Sequence, residues 1–295
     1  MDLKNYIAIQ TDCKCYLADA RQISTFKGGG KAYVFIPESV EKLIEIVRVL
    51  SDENMRFFML GKGSNTLISD GICESILIST KALNSVKTDG EFAFCECGAP
   101  MNDVISKGRK HGLGGLEFLS GVPCSVGGAV KMNAGAFGAQ IGDYVYKIHI
   151  LNLDCANCGK IEMQEIFAEE LQFEYRRGAS GIVLDAVLKL DEKSVEKSMN
   201  DAKRYLSFRR KKQPSLPSLG SVFKNGEIAS GKLIEQCALK GEKRGGARIS
   251  EKHANFIVNE GGARADDYLY LTSICKKRVY ENTGVLLEEE FVLIK

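Results

Sequence analysis

The sequence lacks several features that would assign the chain to a broad functional class. Its 40 lysines and arginines barely exceed its 38 aspartates and glutamates, whereas a general nucleic-acid binder usually carries a marked basic excess. No apolar run approaches the roughly 18 residues of a membrane span, and residues 1–6 lack the apolar segment of a signal peptide. We therefore expect a cytoplasmic protein that binds neither nucleic acid nor membrane.

A second matched cysteine pair is also missing. The chain holds ten cysteines, which should be free thiols in a reducing cytosol. Cys155 and Cys158 have the spacing of a metal or redox pair, but a structural zinc site needs another such pair. The other close pairs have a single residue between them: Cys13/Cys15 and Cys95/Cys97. We predict no metal and interpret residues 154–159 as a turn between strands.

The pattern of apolar residues predicts an α+β protein, and 295 residues are enough for roughly two domains with cores of their own. Apolar residues at helical spacing or in short runs predict the elements. The expected helices are 39–50, 101–109, 195–211, 231–240 and 265–280. The expected strands are 56–60, 76–79, 92–97, 145–153, 182–190 and 285–294. Charge rises at Asp191, which indicates a hinge, and the sequence contains no internal repeat.

Glycine is concentrated in one stretch, which holds eight glycines in the 27 residues 112–138. Apolar residues such as Leu116, Phe118 and Val126 lie between them, which is not typical of a flexible linker. Glycine allows the backbone to approach a flat or charged group closely, in dihedral angles that other residues avoid. The stretch predicts a wall around a large cofactor, and the alternative is a loop-rich core with tight turns and no ligand.

A second glycine turn follows a predicted strand and reads Gly61-Lys62-Gly63-Ser64-Asn65. The dinucleotide-binding fingerprint needs a third glycine where Thr66 stands, and the next residues predict a strand and turn rather than a helix. A Rossmann fold is therefore not expected. The turn can still offer successive N–H groups to a diphosphate, with Ser64 and Asn65 as side-chain donors. The alternative is a tight turn between strands.

Further motifs accompany these two along the chain. In order, the motifs are Thr25-Phe26-x-x-Gly29-Gly30-x-Ala32, the Gly61 turn through Leu67, Gly121-Val122-Pro123 with Gly127-Gly128-Ala129, Asn133-Ala134-Gly135-Ala136-Phe137-Gly138, Gln213-Pro214 with Gly220-Ser221-Val222-Phe223-Lys224-Asn225, and Ser250-Glu251-Lys252-His253-Ala254-Asn255-Phe256-Ile257-Val258-Asn259. In this order they resemble the UDP-N-acetylenolpyruvoylglucosamine reductase family in its shorter subtype. The resemblance runs from about Thr25 to the C-terminus, and several motifs in order are far more specific than one.

The resemblance implies an α+β fold, in which a two-subdomain FAD-binding fold of the vanillyl-alcohol-oxidase/PCMH type precedes an α+β substrate-binding domain. The expected limits are 1–75 and 76–192 for the two FAD-binding subdomains and 193–295 for the substrate domain. The implied enzyme, a monomer, uses NADPH to reduce non-covalently bound FAD and then reduces UDP-N-acetylglucosamine enolpyruvate to UDP-N-acetylmuramate, a peptidoglycan precursor. The implied FAD-binding residues are Gly61, Gly63, Ser64, Asn65, Gly121, Pro123, Gly127, Gly128, Asn133, Gly135 and Gly138.

This reaction sets three tasks for side chains: to hold the substrate carboxylate, to stabilise the charge that develops on it, and to deliver one proton. By resemblance, Ser221 is the proton donor and Arg176 binds the carboxylate, for which a planar guanidinium is well suited. Glu290 in Leu287-Glu288-Glu289-Glu290-Phe291 is the third catalytic residue, pushed toward its protonated form by a nearby carboxylate. The family's serine two residues after the arginine is Gly178 here, so Arg177 remains a rival.

The remaining implied residues would bind the substrate. Arg209 and Lys212 would face its diphosphate, Lys224 and Asn225 would line the same pocket, and His253 is the fifth candidate. Part of the basic run 209–212 is equally explained by its place at a helix C-terminus, where cations complement the helix dipole. His253 either reaches the substrate or satisfies a backbone group.

Two departures and two alternatives accompany the resemblance. Cys124 replaces a family glycine, and Gly226 replaces the proline that commonly follows Lys-Asn.

One alternative is an FAD-dependent oxidase of a small alcohol or sugar, in which His111 or Cys124 would tether the flavin covalently. The other is a flavin-binding protein without turnover, which the presence of all three catalytic residues argues against.

Overall fold

The computed structural model describes residues 7–8, 10–154 and 160–295, and the chain divides into two compact units, each assembled from separate segments. The first unit comprises Met1–Tyr16, Val34–Lys62 and Ile76–Phe208. The second comprises Leu17–Tyr33, Gly63–Ser75 and Arg209–Lys295. The Cys155 and Cys158 pair lies outside the described residues. None of the helices in the described ranges has the length and apolar character to cross a membrane.

The helices are α1 Ala20–Ile23, α2 Val40–Asp52, α3 Met101–Lys110, α4 Val126–Lys131, α5 Val195–Lys212, α6 Ser230–Gln236 and α7 Ala265–Thr283. The strands are β1 Lys14–Asp19, β2 Lys31–Ile36, β3 Phe57–Leu60, β4 Thr66–Ile68, β5 Ile76–Ser79, β6 Val86–Asp89, β7 Phe92–Glu96, β8 Leu113–Gly114, β9 Gly135–Ala136, β10 Ala139–Gln140, β11 Val145–Asp154, β12 Lys160–Phe167, β13 Ile182–Lys189, β14 Asp191–Glu192, β15 Lys243–Arg244, β16 Ala247–Ile249, β17 Ile257–Asn259 and β18 Val292–Ile294. Short 3₁₀ turns occupy Thr80–Ala82, Leu116–Leu119, Ile141–Tyr144 and Ala168–Glu170.

The first unit is built on a five-stranded antiparallel sheet in the order β12-β11-β13-β7-β6. Its central strands carry the apolar runs that the sequence predicts, and Ile150 of β11 lies opposite Val183 of β13. A second sheet has the order β1-β2-β5-β3, with β5 parallel to β2 and β3. The predicted helix at residue 39 is confirmed: Ser39 Oγ accepts a hydrogen bond from the Lys42 N–H, which caps α2.

The second unit packs the three-stranded sheet β15-β16-β17 against α7, and β18 runs parallel to β4. Asp70 caps the start of α7 from a distant part of the sequence. Its carboxylate accepts hydrogen bonds from the N–H groups of Ala265 and Asp266. Tyr268 of α7 lies at the centre of the apolar core, with its ring edge-on to Phe26 and Phe291 at 5.0 Å each. One core therefore links sequence segments from both halves of the chain.

Two predicted elements are wrong in length. The expected strand 285–294 is a strand only at Val292–Ile294, because residues 288–290 bond instead to the irregular segment 222–224. The expected helix 231–240 ends at Gln236, where Ala238 adopts a left-handed conformation with φ of +53° that a helix cannot continue. The predicted strand and turn after Thr66 are confirmed by β4.

The described cysteines are joined by no disulfide bond. Burial raises the pKa of the Cys95, Cys97 and Cys275 thiols to about 12. These three thiols therefore stay protonated at neutral pH and are poor nucleophiles.

A buried ion pair stabilises the glycine-rich stretch within the first unit. The Glu117 side chain is 2% exposed and accepts hydrogen bonds from Lys193 Nζ at 3.0 Å, Ser198 Oγ at 2.6 Å and the Gly115 N–H at 2.8 Å. Burial alone would raise the pKa of the Glu117 carboxyl, but these hydrogen bonds outweigh it and hold the pKa below its usual value. Lys193 also pairs with Asp201 at 2.8 Å.

We predict that Lys193→Met lowers the free energy of unfolding by about 3–5 kcal/mol, because it leaves the Glu117 charge buried without its cation. Chemical denaturation monitored by circular dichroism measures the change. Lys189→Met is the matched control: Lys189 pairs with Glu91 at 3.2 Å, but both side chains are about half exposed, so its loss should cost less than about 1 kcal/mol. Equal losses for the two variants would contradict the prediction.

We also predict that Tyr268→Phe raises the free energy of unfolding by about 1 kcal/mol. Tyr268 is fully buried, and its hydroxyl finds no hydrogen-bond partner within the described part of the chain, so burying it is costly. Tyr280→Phe, at a tyrosine that is 54% exposed, should change stability by less than about 0.5 kcal/mol. A clear loss of stability in Tyr268→Phe would show that the hydroxyl is bonded.

Candidate active site

The Gly61 turn and the glycine-rich stretch meet inside the first unit. A Cβ atom at Gly61 would lie 2.4 Å from Ser125 Oγ, so the serine hydroxyl would have to move to admit one. Ser125 in turn begins α4, with its hydroxyl accepting a hydrogen bond from the Gly128 N–H at 3.4 Å. Two of the motifs that the sequence assigns to cofactor binding are thus adjacent in space.

Protein packing explains one glycine of the stretch, while other predicted positions remain open to solvent. The Gly127 N–H donates to the Cys97 carbonyl at 2.7 Å, and a Cβ at Gly127 would lie 2.8 Å from Cys97 Cβ. Gly127 is therefore required for the close approach of α4 to the end of β7. Four predicted cofactor-binding residues are exposed: Gly121, Pro123, Gly128 and Gly138.

Asn133 is buried and holds the loop that follows α4. Its Nδ2 donates to Gln140 Oε1 at 2.8 Å and to the Glu174 carbonyl at 3.0 Å, and its Oδ1 accepts from the Gly142 N–H at 3.1 Å. The side chain therefore joins the loop that contains half-buried Gly135 to the segment that carries the predicted catalytic arginine.

Arg176 lies at the tip of a tight turn. Glu174 and Arg177 exchange two backbone hydrogen bonds of 2.8 and 3.1 Å, and Arg176 between them is left-handed, with φ of +60°. Its Nη1 donates to the Gly135 carbonyl at 3.4 Å, and its guanidinium lies 4.9 Å from the Tyr175 ring centroid. The Arg177 side chain is 78% exposed and pairs with Glu174, so Arg176 alone of the two is directed toward the glycine-rich loop.

The departure at Gly178 has a packing reason. A Cβ at this position would lie 1.8 Å from the Val130 carbonyl oxygen, and the Gly178 N–H donates to the Lys131 carbonyl at 3.1 Å. Glycine is required where the arginine turn rests on α4. The family's serine would not fit this backbone.

The glycine turn 61–65 is divided between the two units, and the residues from Gly63 onward belong to the second unit. Gly63 is buried and left-handed, with φ of +63°, and a Cβ there would lie 2.0 Å from the Ile23 carbonyl oxygen. Its own carbonyl accepts a hydrogen bond from the Thr25 N–H at 3.0 Å. The turn is thereby fixed to the Thr25 motif, and Ser64 beside it is half-buried.

Ser221 and Glu290 lie side by side in the second unit. The Glu290 N–H donates to the carbonyl of Val222, the residue after Ser221, at 2.8 Å. Asn65 Nδ2 donates to the Glu290 carbonyl at 2.9 Å, a second task for a residue predicted to bind the cofactor. Both Ser221 and Glu290 are half-buried, and Gly220 before the serine is left-handed, with φ of +78°. The structure thus brings two of the three predicted catalytic residues together, and the third, Arg176, belongs to the first unit.

The predicted substrate-binding residues lie at several places in the second unit. Lys224 forms an ion pair with Glu288, and Asn225 Oδ1 accepts a hydrogen bond from the Ser230 N–H at 3.1 Å at the start of α6. Arg209 and Lys212 lie in the last turn of α5, as predicted, where cations complement the helix dipole. At Gly226 no atom lies within 4 Å of a Cβ, so packing does not explain the glycine in place of the family's proline.

His253 satisfies a backbone group, which is one of the two alternatives that the sequence leaves open. Its Nδ1 accepts a hydrogen bond from the Asn255 N–H at 3.3 Å, and its ring packs edge-on against Phe256 at 4.9 Å. Burial lowers the pKa of His253, and the charge of Lys240 lowers it further. The imidazole is therefore neutral at pH 7, with the proton on Nε2.

We predict that His253 lowers the free energy of unfolding as the pH becomes acidic. A lowered pKa in the folded state contributes stability that is present above the unfolded value of about 6.5 and is lost as the pH falls through the folded value. His253→Gln should therefore flatten the decline in unfolding free energy between about pH 7 and 5, measured by urea denaturation at each pH. An unchanged slope would contradict the assignment.

Asn255 is a residue to which the motifs assign no role. It is 2% exposed, and its side chain forms hydrogen bonds with both the N–H and the carbonyl of Phe223, two residues after Ser221. Its only sequence signal is its place in the motif 250–259. Within the described ranges, no group of three histidines, cysteines or acidic residues is arranged to hold a metal ion.

Comparisons with known proteins define the class. Residues 31–155 match a family described as an FAD binding domain, and residues 212–294 match the family described as UDP-N-acetylenolpyruvoylglucosamine reductase, C-terminal domain. The two motif groups of the site fall within these two matches. The chain is therefore a flavoprotein with a reductase domain in its last third, and the predicted α+β fold with an FAD-binding domain ahead of that domain is confirmed.

The whole-chain relatives then specify the family. A UDP-N-acetylenolpyruvoylglucosamine reductase from Caldicellulosiruptor bescii is 41% identical over 93% of this chain and 88% of its own length. One from Syntrophus aciditrophicus is 37% identical over 93% and 89%. The solved structure of the reductase from Thermus caldophilus is 30% identical, with a TM-score of 0.80 over 96% of this chain and all of that one. The chain belongs to the UDP-N-acetylenolpyruvoylglucosamine reductase family.

Proposed function

We propose that the protein is an NADPH-dependent flavoenzyme that reduces UDP-N-acetylglucosamine enolpyruvate to UDP-N-acetylmuramate for peptidoglycan synthesis. Family membership supports the reaction, and one observation in the structure carries the proposal. The main chain at Ser221 and the main chain at Glu290, residues that would supply a proton donor and a carboxyl group, are joined by the hydrogen bond from the Glu290 N–H to the carbonyl of Val222, the residue after Ser221. The proposed reaction adds a hydride and then a proton to an enol ether that carries a carboxylate, and it requires a proton donor and a group that stabilises the developing charge.

The chemistry of the predicted cofactor-binding residues fits FAD. At Gly61 the backbone lies so close to the Ser125 hydroxyl that a Cβ would displace it, so the turn leaves little room for a side chain at this position. Ser64 and Asn65 add hydroxyl and amide donors of the kind that bind phosphate oxygens. When bound, FAD supplies the hydride. We assign its binding to the turn at 61–65, to 121–128 and to the loop at 133–138, within FAD-binding subdomains 1–75 and 76–192.

Three side chains carry the rest of the chemistry. The Arg176 guanidinium binds the substrate carboxylate by two parallel hydrogen bonds. The Glu290 carboxyl, when protonated, donates a hydrogen bond to the enolate oxygen as charge develops there. The Ser221 Oγ–H delivers the proton to the carbon beside the carboxylate, because a carbanion-like centre is basic enough to accept it from a weak but well-placed acid.

The finer assignments follow from the same resemblance. In a substrate domain that spans 193–295, Arg209 and Lys212 bind the diphosphate, and Lys224 and Asn225 line the same pocket. His253 donates its Nε2–H to the substrate, since its contact with the Asn255 N–H uses only Nδ1. We propose that the protein works as a monomer in the cytoplasm, where NADPH and nucleotide sugars are made. Nucleic acid is not among its partners.

We predict that Ser221→Ala separates the two half-reactions. NADPH should bleach the bound flavin at the wild-type rate, whereas reoxidation of the reduced flavin by the enol ether should fall by about 10²–10⁴-fold, because the proton donor is gone. Anaerobic stopped-flow absorbance of the holoenzyme measures both steps.

Ser215→Ala is the control, since Ser215 is an exposed serine six residues upstream, and it should leave both steps unchanged. Full reoxidation in Ser221→Ala would exclude this serine as the proton donor.

A further inference from the structure

The segment that carries Ser221 is irregular and needs support from outside. Residues 224–229 form no helix or strand, and residues 222–223 take part in a single bridge, between Phe223 and Glu289. A catalytic hydroxyl on such a segment is placed only as accurately as the groups that hold its backbone. The question is therefore which side chain fixes it.

Asn255 forms three of the hydrogen bonds that hold this segment. Its carbonyl accepts from the Val222 N–H at 2.9 Å. Its Oδ1 accepts from the Phe223 N–H at 2.9 Å, and its Nδ2 donates to the Phe223 carbonyl at 2.8 Å. The side-chain amide thus pairs with both main-chain groups of one residue, as a neighbouring strand would.

The opposite edge of the same segment binds the Glu290 segment. The Glu290 N–H donates to the Val222 carbonyl, and the Lys224 N–H donates to the Glu288 carbonyl, each at 2.8 Å. Residues 222–224 therefore lie between Asn255 on one edge and residues 288–290 on the other. The position of the Glu290 backbone depends on the position of residue 222.

The hydrogen bonds between Asn255 and residues 222–223 are buried, so the geometry that they impose is well defined. Asn255 is 2% exposed, and Val222 and Phe223 are each 1% exposed. In such surroundings a satisfied polar network fixes one geometry, and a missing partner leaves a main-chain group without a hydrogen bond at a cost.

We propose that Asn255 is a positioning residue that holds the proton donor Ser221 and the carboxyl of Glu290 in the arrangement that protonates the substrate. It does not touch the reacting atoms. This inference rests on the proposed function, because it assigns the effect of Asn255 to the protonation half-reaction alone.

Asn255→Asp tests the proposal, because the introduced side chain has the same shape and its bonding depends on protonation. A protonated carboxyl accepts from the Phe223 N–H and donates to the Phe223 carbonyl, as the amide does. An ionised carboxyl cannot donate and places a charge beside that carbonyl. The rate of flavin reoxidation by the enol ether, relative to wild type, should be near one at low pH and fall at least tenfold as the carboxyl ionises at higher pH, since small misplacements cost about this much or more.

Asn259→Asp is the matched control from the same motif. Asn259 is 5% exposed and also bridges main-chain groups, donating to the carbonyls of Phe26 and Lys27 and accepting from the Gly261 N–H. The Asn259→Asp substitution should lower stability by a comparable amount, yet the reoxidation rate of this variant relative to wild type should not vary with pH. Reduction of the flavin by NADPH should match wild type in both variants.

The outcomes separate the claims. A loss in Asn255→Asp that grows with pH and is confined to reoxidation supports positioning. If the reoxidation rate of Asn255→Asp relative to wild type does not change with pH, and only the melting temperature falls as in Asn259→Asp, the positioning role is overturned. If Asn255→Asp does not accumulate as folded holoenzyme, Asn255→Ser, which cannot span both Phe223 groups, should reduce normally and reoxidise slowly at every pH. A wild-type holoenzyme that the enol ether cannot reoxidise overturns the proposed function and this inference with it.

Discussion

One backbone hydrogen bond, from the Glu290 N–H to the Val222 carbonyl, is the constraint on which the second unit's chemistry depends. It joins the last segment of the chain to the loop that carries Ser221. The Glu290 carbonyl is held in turn by Asn65, and the Asn65 carbonyl accepts from the Val292 N–H at 2.8 Å. The C-terminal segment is therefore fixed on both sides of Glu290, and a glycine-turn residue and the loop that carries Ser221 share one framework.

The glycine-rich stretch shows how one composition can have two causes. Gly127 is required by the approach of Cys97, and Gly115 by the approach of the Tyr144 ring. These positions follow the loop-rich alternative, in which glycine relieves crowding within the protein. The exposed positions are less crowded: a Cβ at Gly128 would lie 3.3 Å from Ser125 Oγ, and at Gly138 no atom lies within 4 Å, although its φ of +84° itself favours glycine. The loop-rich alternative therefore accounts for the crowded glycines, and cofactor binding at the exposed ones belongs to the proposed function.

Local patterns predicted the elements that local forces determine. The helix after Ser39 follows from its apolar spacing and its capping hydroxyl, and the three central strands of the five-stranded sheet, β11, β13 and β7, follow from their apolar runs. The expected strand 285–294 failed because residues 288–290 pair with residues 222–224, which no local pattern indicates. Asn255 was not predicted for the same reason: its partner Phe223 lies 32 positions away, and an asparagine's role depends on what it faces. The Asn65 contact with Glu290 spans 225 positions and was equally inaccessible.

The flavin absorbance of the purified protein during an anaerobic titration tests the central claim most directly. NADPH is added first, and UDP-N-acetylglucosamine enolpyruvate follows once the spectrum is constant. We expect bleaching by NADPH and prompt recovery of the oxidised spectrum when the enol ether is added, because the proposed reaction consumes the enol ether as its hydride acceptor. Bleaching without recovery would contradict the proposed substrate, and a protein that holds no flavin even after reconstitution would contradict the assignment of the glycine turns.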